Sequence, residues 1–290
     1  MKLKIMPIII CLSLMLVLLS GCGQGISGET DATESSGEMV TAAIAEETEA
    51  TVSAAEFTAG FNIENGLLIG YTGADSVVSI PDNVTGISDF AFYECESITS
   101  VTVPDSVTNI GIGTFSNCGN LTSIDVDISN ASFSSGDGVL YNKDMTALLC
   151  YPAGKTGVFA IPESVTSICE SAFSGCWSLT GVTVPDSVTE IGVSAFSGCI
   201  GLTSVAIPDG VTSIREGAFF CCTGLTSVTI PSSVTEIAGP GENSVNLGGV
   251  VLTTYTTGAF EGCDSLTIYG ETGSYAEQYA ADNNIPFVSA

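Results

Sequence analysis

Eleven cysteines and 32 acidic residues supply most of the reactive side chains in this 290-residue chain, which contains no histidine. Six cysteines each follow a phenylalanine by three residues: Cys95, Cys118, Cys176, Cys199, Cys222 and Cys263. Thiols stacked at ~4.8 Å, the spacing of paired strands, could form disulfides or stay buried as small apolar groups. We expect buried free thiols, because Cys150, Cys169 and Cys221 have no partners at the same spacing.

The sequence lacks the residues that most catalytic and metal centres need. Without histidine, neither a Ser-His-Asp nor a Cys-His arrangement can be assembled. No Cys-x-x-Cys pair is present to hold zinc, and no Gly-rich loop ends in Gly-Lys-Ser/Thr. Carboxylate pairs suited to glycoside hydrolysis would arise by coincidence among so many acidic residues. We therefore predict a protein that is not an enzyme and that has no cofactor and no metal.

A second set of candidate ligands consists of carboxylates that directly follow a proline: Asp82, Asp105, Glu163, Asp186 and Asp209. Stacked like charges of this kind could bind calcium. Alternatively, Asp after Pro accepts backbone N–H bonds in the following turn. We favour the turn, since the interspersed motif of calcium-binding repeats is absent.

The six repeat cysteines and the proline-following carboxylates belong to a repeat of 23 residues. Pro162, Pro185, Pro208 and Pro231 follow one another at this interval, as do Phe173, Phe196 and Phe219. Two longer gaps mark insertions at about residues 128–158 and 238–255. A fixed period of this length is typical of a solenoid.

The repeat from Leu179 to Cys199 shows how one unit folds. Val182 and Val184 flank the polar Thr183, which predicts a strand with one buried face, and Pro185 ends it. A single 23-residue unit cannot bury its own apolar side chains, so it must stack on its neighbours. We predict a solenoid with a parallel β-sheet on one side, short turns or extended segments on the other, and caps at both ends.

The pattern Leu-x-x-Val-x-Ile-Pro-x-x-Val-x-x-Ile-x-x-x-Ala-Phe-x-x-Cys, as in Leu202 to Cys222, resembles the BspA-like leucine-rich repeat family of bacterial surface proteins. The resemblance covers Ile80 to about Tyr269, apart from the insertions. It implies a leucine-rich-repeat solenoid at the cell surface with a role in adhesion. The motif specifies a fold and implies no catalytic residue.

The two insertions and the two ends of the repeat array have sequence patterns that predict further structural elements. Residues 138–151 around Asn142-Lys143-Asp144 predict a hairpin. Residues 65–71 resemble its first half, so they are expected to cap the N-terminal end. Four glycines and Pro240 in residues 238–255 predict that the second insertion begins as a flexible loop. Residues 274–283 predict a C-terminal helix with Tyr275, Tyr279 and Ala280 on one side.

The first 60 residues predict export and tethering. Lys2 and Lys4 precede an apolar run from Ile5 to Leu19, which is short for a membrane span and typical of a secretory signal. The run ends in Leu19-Ser20-Gly21-Cys22, which resembles the lipobox of bacterial lipoproteins and implies acylation of Cys22. We expect a signal peptide (1–21), an acidic flexible linker from lipidated Cys22 (22–60) and the repeat domain (61–290).

The net charge of the chain restricts the kinds of partner that it can bind. Five Lys and Arg against 32 Asp and Glu give a formal charge of −27, which repels nucleic acid and anionic lipid surfaces. We expect a lipid-anchored extracytoplasmic monomer that touches the membrane only through its anchor. The predicted function is binding or adhesion to a protein or glycan partner; the alternative is a structural spacer without a dedicated ligand.

Two groups of residues are candidates for the contact surface. Hydroxyl residues at outward positions of the strands are Thr180, Thr183, Thr203, Ser204, Thr226 and Ser227, which could equally serve only to form strands. Trp177 and Ile200 follow the repeat cysteine in successive copies, where other copies have Glu96, Gly119, Thr223 and Asp264. Exposed aromatics often mark interfaces, although residues 128–158 could instead cover Trp177.

The anchor is tested by Cys22→Ala. Because the thiol is the expected acylation site, the variant should lose metabolic labelling with fatty acid and leave the membrane fraction. Parent-like partitioning of the variant into membranes would contradict the lipoprotein interpretation.

Overall fold

The computed structural model describes residues 56–58, 60–247 and 250–290. The predicted signal peptide (1–21), Cys22 and nearly all of the predicted linker (22–60) lie outside the described residues. The strands of the N-terminal half are β1 Glu56–Thr58, β2 Phe61–Glu64, β3 Leu67–Tyr71, β4 Val77–Ser79, β5 Gly86–Ile87, β6 Ser100–Val103, β7 Asn109–Ile110, β8 Ser123–Val126, β9 Phe133–Gly136, β10 Val139–Asn142 and β11 Ala147–Cys150.

The remaining elements are β12 Gly157–Ala160, β13 Ser167–Ile168, β14 Leu179–Thr183, β15 Glu190–Ile191, β16 Ser204–Ala206, β17 Ser213–Ile214, β18 Ser227–Ile230, β19 Glu236–Ile237, β20 Gly241–Leu247, β21 Val250–Thr256, β22 Thr267–Gly270, α1 Tyr275–Asp282 and β23 Phe287–Ser289. Among the described residues, no helix has the length and apolar character required to span a membrane.

Each 23-residue unit makes one turn of a solenoid. In the turn that begins at Leu202, strand β16 buries Val205 and exposes Ala206. Pro208 then closes a turn by accepting a hydrogen bond at 3.0 Å from the N–H of Val211. The chain next forms the two-residue strand β17 and buries Phe219 against the neighbouring turns. The predicted leucine-rich-repeat solenoid is confirmed.

Parallel ladders run along two sides of the solenoid, whereas the sequence predicted one sheet and an opposite side of turns or extended segments. The longer strands form the ladders β4-β6-β8, β12-β14 and β16-β18-β22-β23. On the other side, the extended segments pair as β5-β7, β13-β15 and β17-β19. The first side is interrupted at the insertion after β8, and between β14 and β16 the bond from Thr203 N–H to Thr180 O lengthens to 3.4 Å.

Threonines reinforce both sides. The Oγ1 of Thr122 donates to Thr99 O at 3.1 Å, and the Oγ1 of Thr226 donates to Thr203 O at 3.1 Å. On the other side, Thr108 makes the same bond to the carbonyl oxygen of Thr85 one turn earlier, also at 3.1 Å. These hydroxyls therefore bind turn to turn, which explains why Thr recurs at these positions of the repeat.

The phenylalanines of successive turns stack on one another inside the solenoid. The ring centroids of Phe173 and Phe196 are 4.7 Å apart, and Phe196, Phe219 and Phe260 follow at 5.2 Å each. A separate stack joins Phe92 and Phe115 at 5.1 Å. The buried side chains form two clusters that correspond to these two stacks.

The repeat cysteines hydrogen-bond along the same direction. The thiol of Cys118 donates to the carbonyl oxygen of Phe92, one turn earlier, at 2.9 Å. Cys199, Cys222 and Cys263 make the equivalent bond at 3.2, 3.0 and 3.1 Å. The expected free thiols are confirmed at Cys118, Cys150, Cys169, Cys176, Cys199, Cys222 and Cys263.

A hairpin begins each aromatic stack. Strands β2 and β3 carry Tyr71, whose ring lies 5.2 Å from Phe92 and whose N–H donates to Ala91 O at 2.9 Å. The hairpin predicted in the first insertion forms from β10 and β11, with β9 as a third strand. It carries Tyr151, whose ring lies 5.0 Å from Phe173 and whose N–H donates to Ala172 O at 2.7 Å. The insertion is thus a second cap with the same contacts as the first.

The second insertion, which was predicted to begin as a flexible loop, forms strands from Gly241 onward. β20 and β21 pair antiparallel over seven residues each, from Gly241 opposite Thr256 to Leu247 opposite Val250. The prediction did not include these strands because it relied on the glycines and on Pro240. Val245 and the β-branched residues of the Val250–Thr254 segment favour strands, and cross-strand pairing outweighs local flexibility.

The C-terminal cap is helix α1, as predicted, followed by β23, which pairs with β22. Ser274 caps the helix by accepting a hydrogen bond from Glu277 N–H at 3.4 Å. Ala276, Tyr279 and Ala280 are buried, whereas Tyr275 is 43% exposed. The sequence placed Tyr275 on one side of the helix with Tyr279 and Ala280, but the buried face is formed by Ala276 with Tyr279 and Ala280 at the i, i+3, i+4 spacing.

The stack is tested by Phe196→Ala. The ring is fully buried between Phe173 and Phe219, so its loss should lower the free energy of unfolding by about 3–5 kcal/mol. The control Thr183→Ala, on the exposed face of β14, should cost under ~0.5 kcal/mol in the same urea titration. Equal losses at both sites would contradict this register.

Candidate functional site

Trp177 and Ile200 occupy equivalent positions on successive turns and are both partly exposed. The side chain of Trp177 is 41% exposed and that of Ile200 is 49% exposed. Their backbones have the same conformation, since Trp177 N–H donates to Gly175 O and Ile200 N–H donates to Gly198 O, both at 2.8 Å. The two side chains therefore form a small apolar edge of the solenoid, which we call the Trp177–Ile200 edge.

The position of Trp177 depends on a glycine one turn earlier. A Cβ atom on Gly119 would lie 3.2 Å from Cζ3 of the indole, so the ring occupies the space over Gly119 that a side chain would fill. Residues 128–158 do not bury Trp177, although the sequence left that alternative open. The indole therefore has one side against the protein and offers the remainder to solvent.

The hydroxyl residues of the candidate surface are not equivalent. Thr203 and Thr226 donate their Oγ1 hydrogens to the carbonyl oxygens of the preceding turn, at 3.3 and 3.1 Å. Thr180 supplies the carbonyl oxygen that Thr203 binds. Thr183 and Ser204 are exposed on their strands, and Ser227 is half-buried opposite Ser204 in the ladder. Thr183, Ser204 and Ser227 are thus the members that make none of these turn-to-turn bonds.

Phe90 and Ile112 were missed by the sequence reasoning. Phe90 is 54% exposed and Ile112 is 43% exposed. Phe90 adopts a φ of +57° at a position where the next turn has Gly113, and its ring would contact a Cβ added to Gly113. A phenylalanine aligned with glycines and serines was the available signal, since an aromatic residue seldom adopts this backbone conformation.

Tyr93, which also departs from its repeat position, has a structural role. Its hydroxyl oxygen accepts a hydrogen bond at 2.9 Å from the side-chain amide of Asn117 on the next turn. Its ring packs edge-on against Phe90 at 5.8 Å. The side chain is half-buried and ties two turns together, so it is a poor candidate for ligand contact.

The candidate acidic and thiol groups lie in different surroundings. The proline-following carboxylates Asp82, Asp105, Glu163, Asp186 and Asp209 are all exposed. Within the part of the chain that the structure describes, no group of three or more His, Cys, Asp or Glu side chains could hold a metal ion. Burial raises the pKa of the Cys118 thiol to about 12, which leaves little of the nucleophilic thiolate at neutral pH.

The repeats identify the family. Residues 71–146 and 150–267 match the BspA type leucine rich repeat region in six copies. This match covers more than half of the chain, so the protein belongs to the family of BspA-type leucine-rich repeat proteins.

Two solved structures illustrate the likeness. A leucine rich cell surface protein from Faecalibacterium prausnitzii A2-165 is 30% identical, with a TM-score of 0.51 over 71% of this chain and 62% of that chain. A leucine-rich repeat protein from Eubacterium ventriosum is 24% identical, with a TM-score of 0.46 over 69% of this chain and 60% of that chain. The matches span less than two thirds of both relatives. A comparison with functionally characterised proteins gives no match.

The exposure of Trp177 is tested by its fluorescence, because it is the only tryptophan. Its emission should be quenched by acrylamide to an extent between those of a buried indole and of the urea-unfolded chain. Gly119→Val should increase the quenching, since the new side chain occupies the space under the ring. A blue-shifted emission that resists the quencher would mean that Trp177 is buried and would exclude it as a contact residue.

Proposed function

We propose that this protein is a surface-displayed binding module that contacts a protein or glycan partner through the Trp177–Ile200 edge. The observation that carries the proposal is the exposure of the single tryptophan beside Ile200, at a repeat position that other turns fill with small or polar residues. An aromatic ring removes a large area from water on binding at little cost in side-chain entropy, which suits it to the centre of an interface.

The surroundings of the edge fit a small interface. Thr183 and Ser204 lie on the strands that follow Trp177 and Ile200, and Ser227 lies on the neighbouring strand β18. These three residues could supply a polar rim of hydroxyl groups. The cations Lys143 and Lys155 donate to backbone carbonyl oxygens of Asn130 and Asp137, in the first insertion. With a formal charge of −27, the chain favours a neutral or basic partner over an acidic one.

Display at the cell surface is supported by the family and by the leader sequence. The relative from Faecalibacterium prausnitzii is described as a cell surface protein. The Leu19-Ser20-Gly21-Cys22 segment supports export and a lipid anchor on Cys22, with the linker holding the solenoid away from the membrane. We propose that the protein acts as a monomer in an extracytoplasmic location and has no catalytic role.

A structural spacer without a dedicated ligand is the second candidate. It is favoured by the hydroxyl groups of Thr203 and Thr226, which bind the preceding turn and are not available as donors to a partner. The two functions differ in one measurable property, because a spacer requires no soluble partner of micromolar affinity.

Binding is tested with the purified chain against panels of extracellular matrix proteins and of glycans. The parent should capture a partner with micromolar affinity or better, and Trp177→Ala should weaken that affinity by at least tenfold. Ile128→Ser is the matched control, since Ile128 is 94% exposed and lies away from the edge in the first insertion. An absence of binding in both panels would favour the spacer, and equal losses in the two variants would exclude the edge.

A further inference from the structure

On the side of the phenylalanine stack, the backbone hydrogen bonds between successive turns are interrupted at the second cap. In an uninterrupted turn, the residue two before the phenylalanine, the phenylalanine and the residue two after it donate to the next turn. Ser194, Phe196 and Gly198 do so at 3.0, 2.8 and 2.8 Å. At the turn that contains Phe115, this pattern fails.

The second cap takes the acceptor that Phe115 would use. By the register of the other turns, the N–H of Phe115 would donate to Ala172 O, but that oxygen accepts from Tyr151 at 2.7 Å. Among the residues that the structure describes, neither Phe115 N–H nor Gly113 N–H has an acceptor. The last bond of the three, from Asn117 N–H to Ser174 O, survives at 3.5 Å. The two turns are therefore in contact at Asn117 and separated before it.

The opening continues along the preceding strand. β7 is the end strand of its sheet, because β13, which would pair with it, pairs with β11 of the second cap. In the first turn, Thr85 O and Ile87 O accept from Thr108 N–H and Gly111 N–H of the next turn. The corresponding donors, Thr166 and Cys169, bind Thr146 and Leu148 instead. The backbone from β7 to Phe115 thus presents an unpaired edge.

A cavity of about 270 Å³ lies along this edge, and we call it the junction cleft. It is lined by residues 110–116 of the unpaired edge and by Leu140, Leu149, Cys150 and residues 169–171. Its lining is largely apolar, and Glu170 is the charged residue at its rim. The cleft therefore combines apolar contact, backbone donors and a negative charge.

We propose that the junction cleft binds an extended peptide segment of a partner protein that carries a basic side chain beside apolar ones. An extended segment can accept hydrogen bonds from alternate residues of a strand edge, which matches the unpaired N–H groups of Gly113 and Phe115. Apolar side chains of the segment enter the cleft, and the basic side chain pairs with Glu170. The acidic linker of this chain is a poor occupant, because its carboxylates are repelled by Glu170.

This site is distinct from the Trp177–Ile200 edge, and different variants separate the two. Ile112 lines the cleft, and Val77 is an exposed apolar residue on β4 that does not line it. Ile112→Lys introduces a cation that repels a basic segment, and Val77→Lys makes a comparable change outside the cleft. Glu170→Lys reverses the charge at the rim.

The probe is a fluorescein-labelled hexapeptide that alternates valine and lysine, measured by fluorescence anisotropy with the purified full chain. The parent should bind it at least tenfold more tightly than a version with glutamate in place of lysine. Glu170→Lys should invert that preference. Ile112→Lys should weaken binding at least tenfold, while Val77→Lys and Trp177→Ala should bind as the parent does.

A second measurement locates the peptide. Bound peptide should slow alkylation of Cys150 by N-ethylmaleimide, followed by mass spectrometry, because this partly buried thiol lines the cleft. The proposal is overturned if the parent does not bind the lysine peptide at millimolar concentration or if the two peptides bind equally. It is also overturned if both lysine variants bind alike or if Cys150 is not protected.

Discussion

The structure depends on the fact that one 23-residue turn cannot satisfy its own backbone or bury its own apolar face. Each turn places its phenylalanine against the next ring, as Phe196 does against Phe219 at 5.2 Å, and sends its N–H groups to carbonyl oxygens of a neighbouring turn. Even the thiol of Cys222 donates to the preceding turn. Stability therefore comes from contacts between neighbours, and a residue at a repeat position is selected by what it meets one turn away.

The same constraint makes the ends and interruptions of the array informative. A turn without a neighbour exposes a phenylalanine and a row of unpaired backbone groups, so a cap must supply both a ring and hydrogen-bond donors. Tyr71 and Tyr151 do this on two hairpins, with matching bonds to Ala91 and Ala172. The second cap pairs with the turns that follow it in the chain. The turn before the cap is therefore left incompletely paired, and this produces the junction cleft.

The sequence was sufficient to predict the features that are set by the 23-residue period and by local propensity. The solenoid, the burial of the repeat cysteines and the C-terminal helix all follow from spacing and local propensity. The sequence was not sufficient where a contact joins residues at irregular separations. Tyr151 replaces a phenylalanine in the stack although it lies outside the period, and the exposure of Trp177 depends on Gly119, 58 residues earlier. The β20–β21 strands were missed because glycine content was weighted above cross-strand pairing.

The second cap also changes how the solenoid would come apart. A linear array held by nearest-neighbour contacts frays from its ends, as a zipper does, and each lost turn exposes the next. Here fraying from the N-terminal end would remove the turns of Phe92 and Phe115 and then meet Tyr151, which already covers Phe173. A protease or a mechanical load acting on that end would thus reach a natural stopping point, beyond which the remaining turns keep a closed core.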